Sequence, residues 1–483
     1  MPETDDFGVP SACQRELRLD ILQILASKPA NRRPHSAAIS QSSHGKISLN
    51  RLRLLLLALV ATETVFGLHH LCFAQSASLP TEQAAPAESL IDTSGVCTHL
   101  TYTDSPYYTQ WPAIFNNLQQ LGVKHIRDGY TNLPPGSPIF AEHQQLAKAG
   151  ITTDYIVPFD TSITVQTLHE FASEVGDLEA LEAPNECDIL GNCGGDGNVG
   201  IANVVSVLPT LQSAANAIHV PLIGPSYVFP ASYLITGNVS SLINLNSMHL
   251  YFSGRNPGSA GWGAPDEQNN AFGSFAFWRD QSAIDAPGVA PAITETGYMS
   301  FPSTSTPFTL PESVEASYIP RTLLLGFKNG YQETFFYQLL DDPSSPPGFG
   351  LLRGDMSQKP AFTALSNLLK LLSDQGGTFT PGSLQYSIAG VDSNLNHLLL
   401  QKSDGSYWLV LWLEEPSWDP VIAAPIAVNP ENIGINLGSG FATTTDYQFD
   451  SNGNVTSFNQ PMNGNWTSLT VTDQISVVKI VPQ

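Results

Sequence analysis

The sequence predicts an α/β fold, a (β/α)8 TIM barrel with a C-terminal antiparallel β-sandwich domain, and three observations carry that expectation. From about residue 90, short β-like runs alternate with amphipathic helical stretches. Eight such pairs occupy roughly 280 residues, a better match to a closed barrel than to an open doubly wound sheet. Beyond residue 375 the helical period gives way to period-two segments, some of them separated by turn signals such as "SDGS" and "DSNGN".

The eight candidate strands are "GVCTHLTY", "VKHIRDG", "TTDYIVPF", "LEALEAPNE", "PLIGPSY", "LNSMHLYF", "APAITETGY" and "YQETFFYQLLD". Helical stretches such as "PAIFNNLQQLG", "FAEHQQLAKAG", "QTLHEFASEVG" and "VEASYIPRTLLLGFKNG" lie between them, several ending in the glycine expected just past a helix. No glycine-rich phosphate loop follows the first strand, which removes the main reason to prefer a dinucleotide-binding fold. A last amphipathic helix, "KPAFTALSNLLKLLSDQGG", closes the barrel at a Gly-Gly stop. The expected organisation is a lead and signal peptide over 1–74, a linker over 75–89, the barrel over 90–375 and the sandwich over 376–483.

Near the N-terminus Lys46, Arg51 and Arg53 precede an apolar run from Leu54, and Cys72-Phe73-Ala74 places small residues at both cleavage-specifying positions. Export with cleavage after Ala74 is expected, so the protein is secreted or periplasmic. The run is short and broken by Glu63 and His69-His70, which disfavours stable membrane insertion. Cleavage removes more basic than acidic side chains and leaves the mature chain more acidic than the net −23 of the whole. Such a surface repels nucleic acid and anionic membranes and suits a neutral or cationic substrate. Cys187 and Cys193 are close enough to bridge in an oxidising compartment, whereas Cys97, on a strand, reads as buried packing. Nothing here sets an oligomeric state.

In a (β/α)8 barrel the reactive groups stand at the C-terminal ends of the strands. Two candidate strands close on a carboxylate: the fourth, "LEALEAPNE", at Glu186, and the seventh, in "AITE", at Glu295. Strands four and seven face each other across the barrel mouth, where two carboxylates can converge on one bond. A glycosidic bond needs such a pair: one acid to protonate the leaving oxygen, and one carboxylate to attack the anomeric carbon or activate water. Mutual repulsion lets the pair hold one proton near neutrality. No H-x-H or H-E-x-x-H pattern accompanies His99 or His249, so neither metal nor cofactor is expected.

Over roughly residues 90 to 375 the sequence also resembles the clan A retaining glycoside hydrolases, with the Asn185-Glu186 pair ending strand four as its signature. That resemblance implies that Glu186 is the acid/base, Asn185 binds the sugar 2-hydroxyl and Glu295 in "TETGY" is the nucleophile. It also implies that Tyr251 in "SMHLYF" hydrogen-bonds the nucleophile, that His249 lines the site, and that Arg127 in "HIRDG" keeps the nucleophile ionised. The segments "GVKHIRDG", "TETGY" and "KPAF" look most like families 39, 5 and 79, without fixing one. Many clan members place Trp at strand eight as a sugar platform; here "FFYQLLDD" offers Tyr337.

His99, Trp262 and Tyr298 complete the substrate-binding candidates, as hydroxyl-contacting or aromatic groups on the catalytic face, and Tyr107, Tyr108 and Asp128 lie in the same loops. In the sandwich, Trp408 and Trp412 share parity in "YWLVLW" and so one sheet face, with Trp418 as a third aromatic. The expected activity is a secreted retaining β-glycosidase acting on a poly- or oligosaccharide. Its alternative is a carbohydrate-binding or wall-associated barrel that has lost turnover. Sugar, linkage and endo or exo action depend on loops 128–140, 187–202 and 252–272, whose shapes composition does not encode.

Overall fold

Eight short parallel strands close into a barrel: β1 (Ser94–Cys97), β2 (His125–Gly129), β3 (Thr152–Ile156), β4 (Leu178–Glu182), β5 (Leu222–Ile223), β6 (Leu245–Leu250), β7 (Ala290–Thr296) and β8 (Thr334–Phe336), with β8 pairing back onto β1. The computed structural model describes residues 79–482 except 135, 190, 196, 343–346 and 391–392. The polar lead, the signal peptide and the cleavage point after Ala74 therefore lie outside the described residues. From Pro80 onward the chain is one compact unit.

Each strand occupies only part of its apolar run, because pairing ends where the chain must turn to reach its helix. The helices are α1 (Trp111–Leu121), α2 (Pro138–Ala149), α3 (Val165–Val175), α4 (Gly197–Ile218), α5 (Ala231–Thr236), α6 (Phe275–Asp285), α7 (Glu312–Lys328) and α8 (Pro360–Leu372). Gly122 and Gly150 take φ of 85° and 74° just past α1 and α2, a conformation that costs glycine nothing and lets the chain turn into the next strand. Among the described residues only α4 is long and apolar enough to cross a membrane, and here it packs as a barrel helix, burying Ile201, Val204, Leu208 and Leu211.

The C-terminal region forms two sheets. Six strands, in the order Ala85–Pro86, Leu395–Gln401, Tyr407–Leu413, Ser476–Pro482, Phe441–Phe449 and Val455–Gln460, face a three-stranded sheet of Ser387–Ala389, Glu431–Asn436 and Trp466–Val471. Residues 81–86, expected as linker, belong to this region instead. Thr81–Gln83 pairs antiparallel with Ser383–Gln385, and Ala85–Pro86 adds parallel to Leu395–Gln401. From Thr81 the described residues thus start on the sandwich, wind the barrel and return.

Tyr407–Leu413 is buried along its whole length because it serves two cores. Its period of two sends Leu409, Leu411 and Leu413 to the sandwich interior with Ile433, Ile435 and Val471, and Trp408, Val410 and Trp412 to the barrel side with Val477. The shared parity of Trp408 and Trp412 therefore marks the face that packs on the barrel. Truncating a Trp as buried as Trp412 typically costs about 3–5 kcal/mol. Beside it Glu414 pairs with the fully buried Arg321 of α7 and accepts from Asn256 Nδ2 at 2.8 Å, so the sandwich is joined to the barrel by polar as well as apolar contacts.

Candidate active site

The site is assembled at the C-terminal mouth of the barrel. Glu295 is the penultimate residue of β7, Arg127 the third residue of β2, and His249 and Tyr251 lie at and just past the end of β6. Arg127 Nη1 donates to Glu295 Oε1 at 2.7 Å and Tyr251 OH donates to Glu295 Oε2 at 2.9 Å, so both oxygens of this carboxylate are held. The other edge of the guanidinium is taken by Glu182, the last residue of β4, through Nε at 2.6 Å and Nη2 at 2.8 Å. Nη2 also reaches Asn185 Oδ1 at 2.8 Å. A planar five-donor fork can meet two carboxylates and an amide at once, which an ammonium cannot do with fixed geometry.

Glu186 does not close a strand. β4 stops at Glu182, and Glu186 sits four residues on, in a turn where its own φ is 47°. A left-handed conformation is unfavourable for a side chain with a Cβ and persists only where the surroundings impose it. Several contacts do so. Ser226, beyond β5, accepts from the Glu186 amide at 3.2 Å and donates to Asn185 Oδ1 at 3.1 Å. Asn192 Nδ2 donates to the Glu186 carbonyl at 3.2 Å. Asp188 accepts from the amides of Val228 and Phe229 and from Ser232, and Cys187 is joined to Cys193 by a disulfide, which their spacing allows. Asn185, its oxygen occupied by Arg127 and Ser226, is left with Nδ2 as its donor to the site.

His249 lies between the two carboxylates, with Nδ1 2.8 Å from Glu186 Oε1 and 3.6 Å from Glu295 Oε2. Burial works against the charge on Glu295, but His249, Arg127 and the Tyr251 hydroxyl outweigh it and hold this carboxyl below the usual range. Burial likewise pulls the His249 imidazole down, yet Glu295 and Glu186 outweigh it and raise it. The Tyr251 hydroxyl, buried and beside Glu295, is pushed well up and stays a hydrogen-bond donor.

Glu186, His249 and Glu295 each present a ligand atom, all within 4.8 Å of one another, and that set could close on a cation. The fit is poor: Arg127 already places a positive charge on Glu295, Tyr251 donates to its second oxygen, and His249 hydrogen-bonds Glu186. Hydrogen-bonded carboxylates describe the arrangement better.

The outer candidates divide. His99, just past β1, stacks on Tyr102 at 4.6 Å and meets Tyr337 edge-on at 5.7 Å; burial pushes its imidazole down. Tyr337, just past β8, contacts Phe349, which also meets Tyr251 at 5.9 Å, so an aromatic wall of Tyr337, Phe349 and Tyr251 stands beside Glu295. Trp262 packs under Arg255, whose guanidinium lies 4.4 Å from its ring centre, and against Phe272. Tyr298, expected among the substrate-binding residues, is 2 % exposed between Phe252 and Tyr318 and is core packing. Tyr107 is fully buried, and Asp128 is consumed by Thr98 Oγ1 at 2.5 Å and the Leu100 amide at 2.9 Å, where it shapes the turn that carries His99. Glu182, Ser226, Asp188 and Phe349 were missed. Glu182 alone left a signal, as a charged residue inside an apolar strand run.

No protein-family model matches the chain, and no curated protein matches it. Among solved structures it is similar to a family 51 α-L-arabinofuranosidase from Thermotoga petrophila RKU-1 (TM-score 0.54, 10% identity, covering 83% of this chain and 98% of that one). It is similar too to a glucosidase from Croceicoccus marinus (0.53, 11%, 83% and 97%). The catalytic domain of the family 30 xylanase C from Talaromyces cellulolyticus is a third (0.51, 11%, 84% and 98%). These matches extend beyond the barrel, and at such identities what they establish is the fold, a (β/α)8 barrel carrying a C-terminal β-sandwich.

Proposed function

We propose that this protein is an exported retaining β-glycosidase that hydrolyses a poly- or oligosaccharide by double displacement. The observation that carries the reading is the meeting of Glu186 and Glu295 across the barrel mouth, with an oxygen of each within 4.8 Å of the other. Carboxyl groups about 5–5.5 Å apart suit direct attack and a covalent intermediate, whereas inversion needs roughly 6.5–9.5 Å to admit a water. Glu295, held ionised by Arg127, Tyr251 and His249, attacks the anomeric carbon while Glu186 protonates the leaving oxygen. Once Glu295 is esterified, the Glu186 carboxylate left by that proton transfer takes a proton from the water that attacks the anomeric carbon and releases the sugar. Asn185 Nδ2 offers a hydrogen bond to a substrate hydroxyl. The leader and the Cys187–Cys193 bridge support export to an oxidising compartment.

The test is the mature chain from Gln75 against β-linked aryl glycosides and polysaccharides, alongside Glu186→Gln and Glu295→Gln. Turnover by the wild type, lost about 10⁴-fold or more in Glu295→Gln, with the product anomer first formed matching the substrate, is the expected result. An inverted first product would overturn the double displacement. Glycan binding without turnover would favour the carbohydrate-binding alternative.

A further inference from the structure

Behind Arg127 the barrel interior holds more carboxyl groups than cations. Glu182 is fully buried and gives both oxygens to the guanidinium, with Ser247 Oγ donating to Oε1 at 3.4 Å. Asp154, on the adjoining β3 and in register with Arg127, is 1 % exposed, and neither of its oxygens has a donor among the described residues. One guanidinium thus faces Glu182 and Glu295, and Asp154 has no cation of its own. An anion with no donor in such a place is costly, and a carboxylic acid is not. A proton on Asp154 both removes its charge and supplies the missing contact, donated to Glu182. Burial, then the neighbouring Glu182 and Glu333, hold the Asp154 carboxyl well above its usual range, in agreement.

We propose that Glu182 is a positioning residue for the nucleophile: sharing a proton with Asp154, its carboxylate fixes the Arg127 guanidinium so that the far edge meets Glu295 and Asn185. This rests on the glycosidase reading. A guanidinium on a flexible stem has many rotamers, and two hydrogen bonds from one side of its plane select the one that serves the site. The charged and titratable groups that face Glu295 are Arg127, Cys97, His249, Tyr251, Tyr337 and Glu186, with His99 and Tyr102 from the loop after β1. Glu333 and Arg127 face the Asp154–Glu182 pair.

The pH dependence of kcat/KM for the wild type, Glu182→Gln and Asp154→Asn tests the proposal, because its acid limb reports the ionisation of the nucleophile. If Glu182 positions Arg127, Glu182→Gln lets the guanidinium swing away. kcat/KM then falls about 10- to 100-fold and the acid limb moves up by about one unit. Asp154→Asn, one neutral donor for another, lowers kcat/KM and shifts the limb by less than Glu182→Gln does. An acid limb that moves down in Glu182→Gln means that Arg127 stayed in place and merely lost a competing anion, and it overturns the proposal. So does an unshifted limb, or an Asp154→Asn that is as damaging as Glu182→Gln. Should Glu182→Gln fail to fold, Glu182→Asp keeps the charge but withdraws the carboxylate by one methylene and must shift the limb in the same upward direction. A wild type without turnover sinks the glycosidase reading and leaves the positioning role to be decided by structure. A crystal structure of Glu182→Gln that keeps the Arg127–Glu295 contact overturns the positioning role, and one that loses it supports it.

Discussion

At the C-terminal mouth of the barrel Glu295 is part-buried and held below the usual carboxylate range, whereas at the N-terminal floor Glu333, just before β8, is pushed up to about 7. Burial raises both. The mouth adds Arg127, His249 and the Tyr251 hydroxyl; the floor gives Glu333 the opposing charge of Glu179 and only a weaker pull from His125. Glu179, two residues into the same floor, makes the point locally. Burial raises it, but His125 on Nδ1 and Thr152 Oγ1 outweigh that and lower it. Depth inside the barrel does not decide whether a carboxylate is charged; a dedicated donor or cation does.

The largest expected effect breaks this contrast by making the mouth like the floor. Arg127→Met leaves Glu182 and Glu295 without their cation, which should cost about 3–5 kcal/mol in chemical denaturation. The acid limb of kcat/KM should rise with it, since Glu295 loses the charge that keeps it ionised. A limb that stayed where it was would mean that His249 and Tyr251 suffice. Next, the mouth is held covalently and the floor is not: replacing Cys187 and Cys193 together by Ser frees a short loop whose closure is worth about 2 kcal/mol. Thermal unfolding should fall accordingly, and kcat should drop with it, because the turn that places Glu186 begins one residue before the bridge. Loss of stability with kcat intact would confine the disulfide to the fold.

The smallest effect is at the floor. The folded pKa of Glu333 lies above its unfolded value, so the stability it contributes is full below about pH 4.5 and is lost as pH rises through about 7. Glu333→Gln removes that dependence and should stabilise the protein by about 1–2 kcal/mol at pH 8 while changing little at pH 4. Equal effects at both pH values would show that the side chain matters for packing rather than for charge.

Much of this architecture was legible in the chain itself. Alternating β-like runs and amphipathic helices announced eight βα units, and the rule that chemistry sits at strand ends singled out Glu186 and Glu295. The resemblance to clan A pointed to Arg127, His249 and Tyr251 as their supporters. Within the segment read as linker, residues 81–86 went unseen as strands because two- and three-residue strands carry no periodic signal: Thr81–Gln83 and Ala85–Pro86 exist only because sandwich strands more than 290 positions away offer them an edge. Tyr298 looked like a loop aromatic because nothing in "TETGY" says which way the chain turns after β7; Phe252 and Tyr318 enclose it.

By itself, then, the sequence determined the element order and the change from barrel to sandwich, since period is a local property of a chain. Only the tertiary structure decided that Glu182 of β4 would grip Arg127 of β2 across an intervening strand, that Ser226 would order the Glu186 turn, and that Phe349 would stand beside Tyr251. Those contacts depend on barrel closure and on the register of strands far apart in sequence, and no local pattern encodes which side chains a closed barrel will bring face to face.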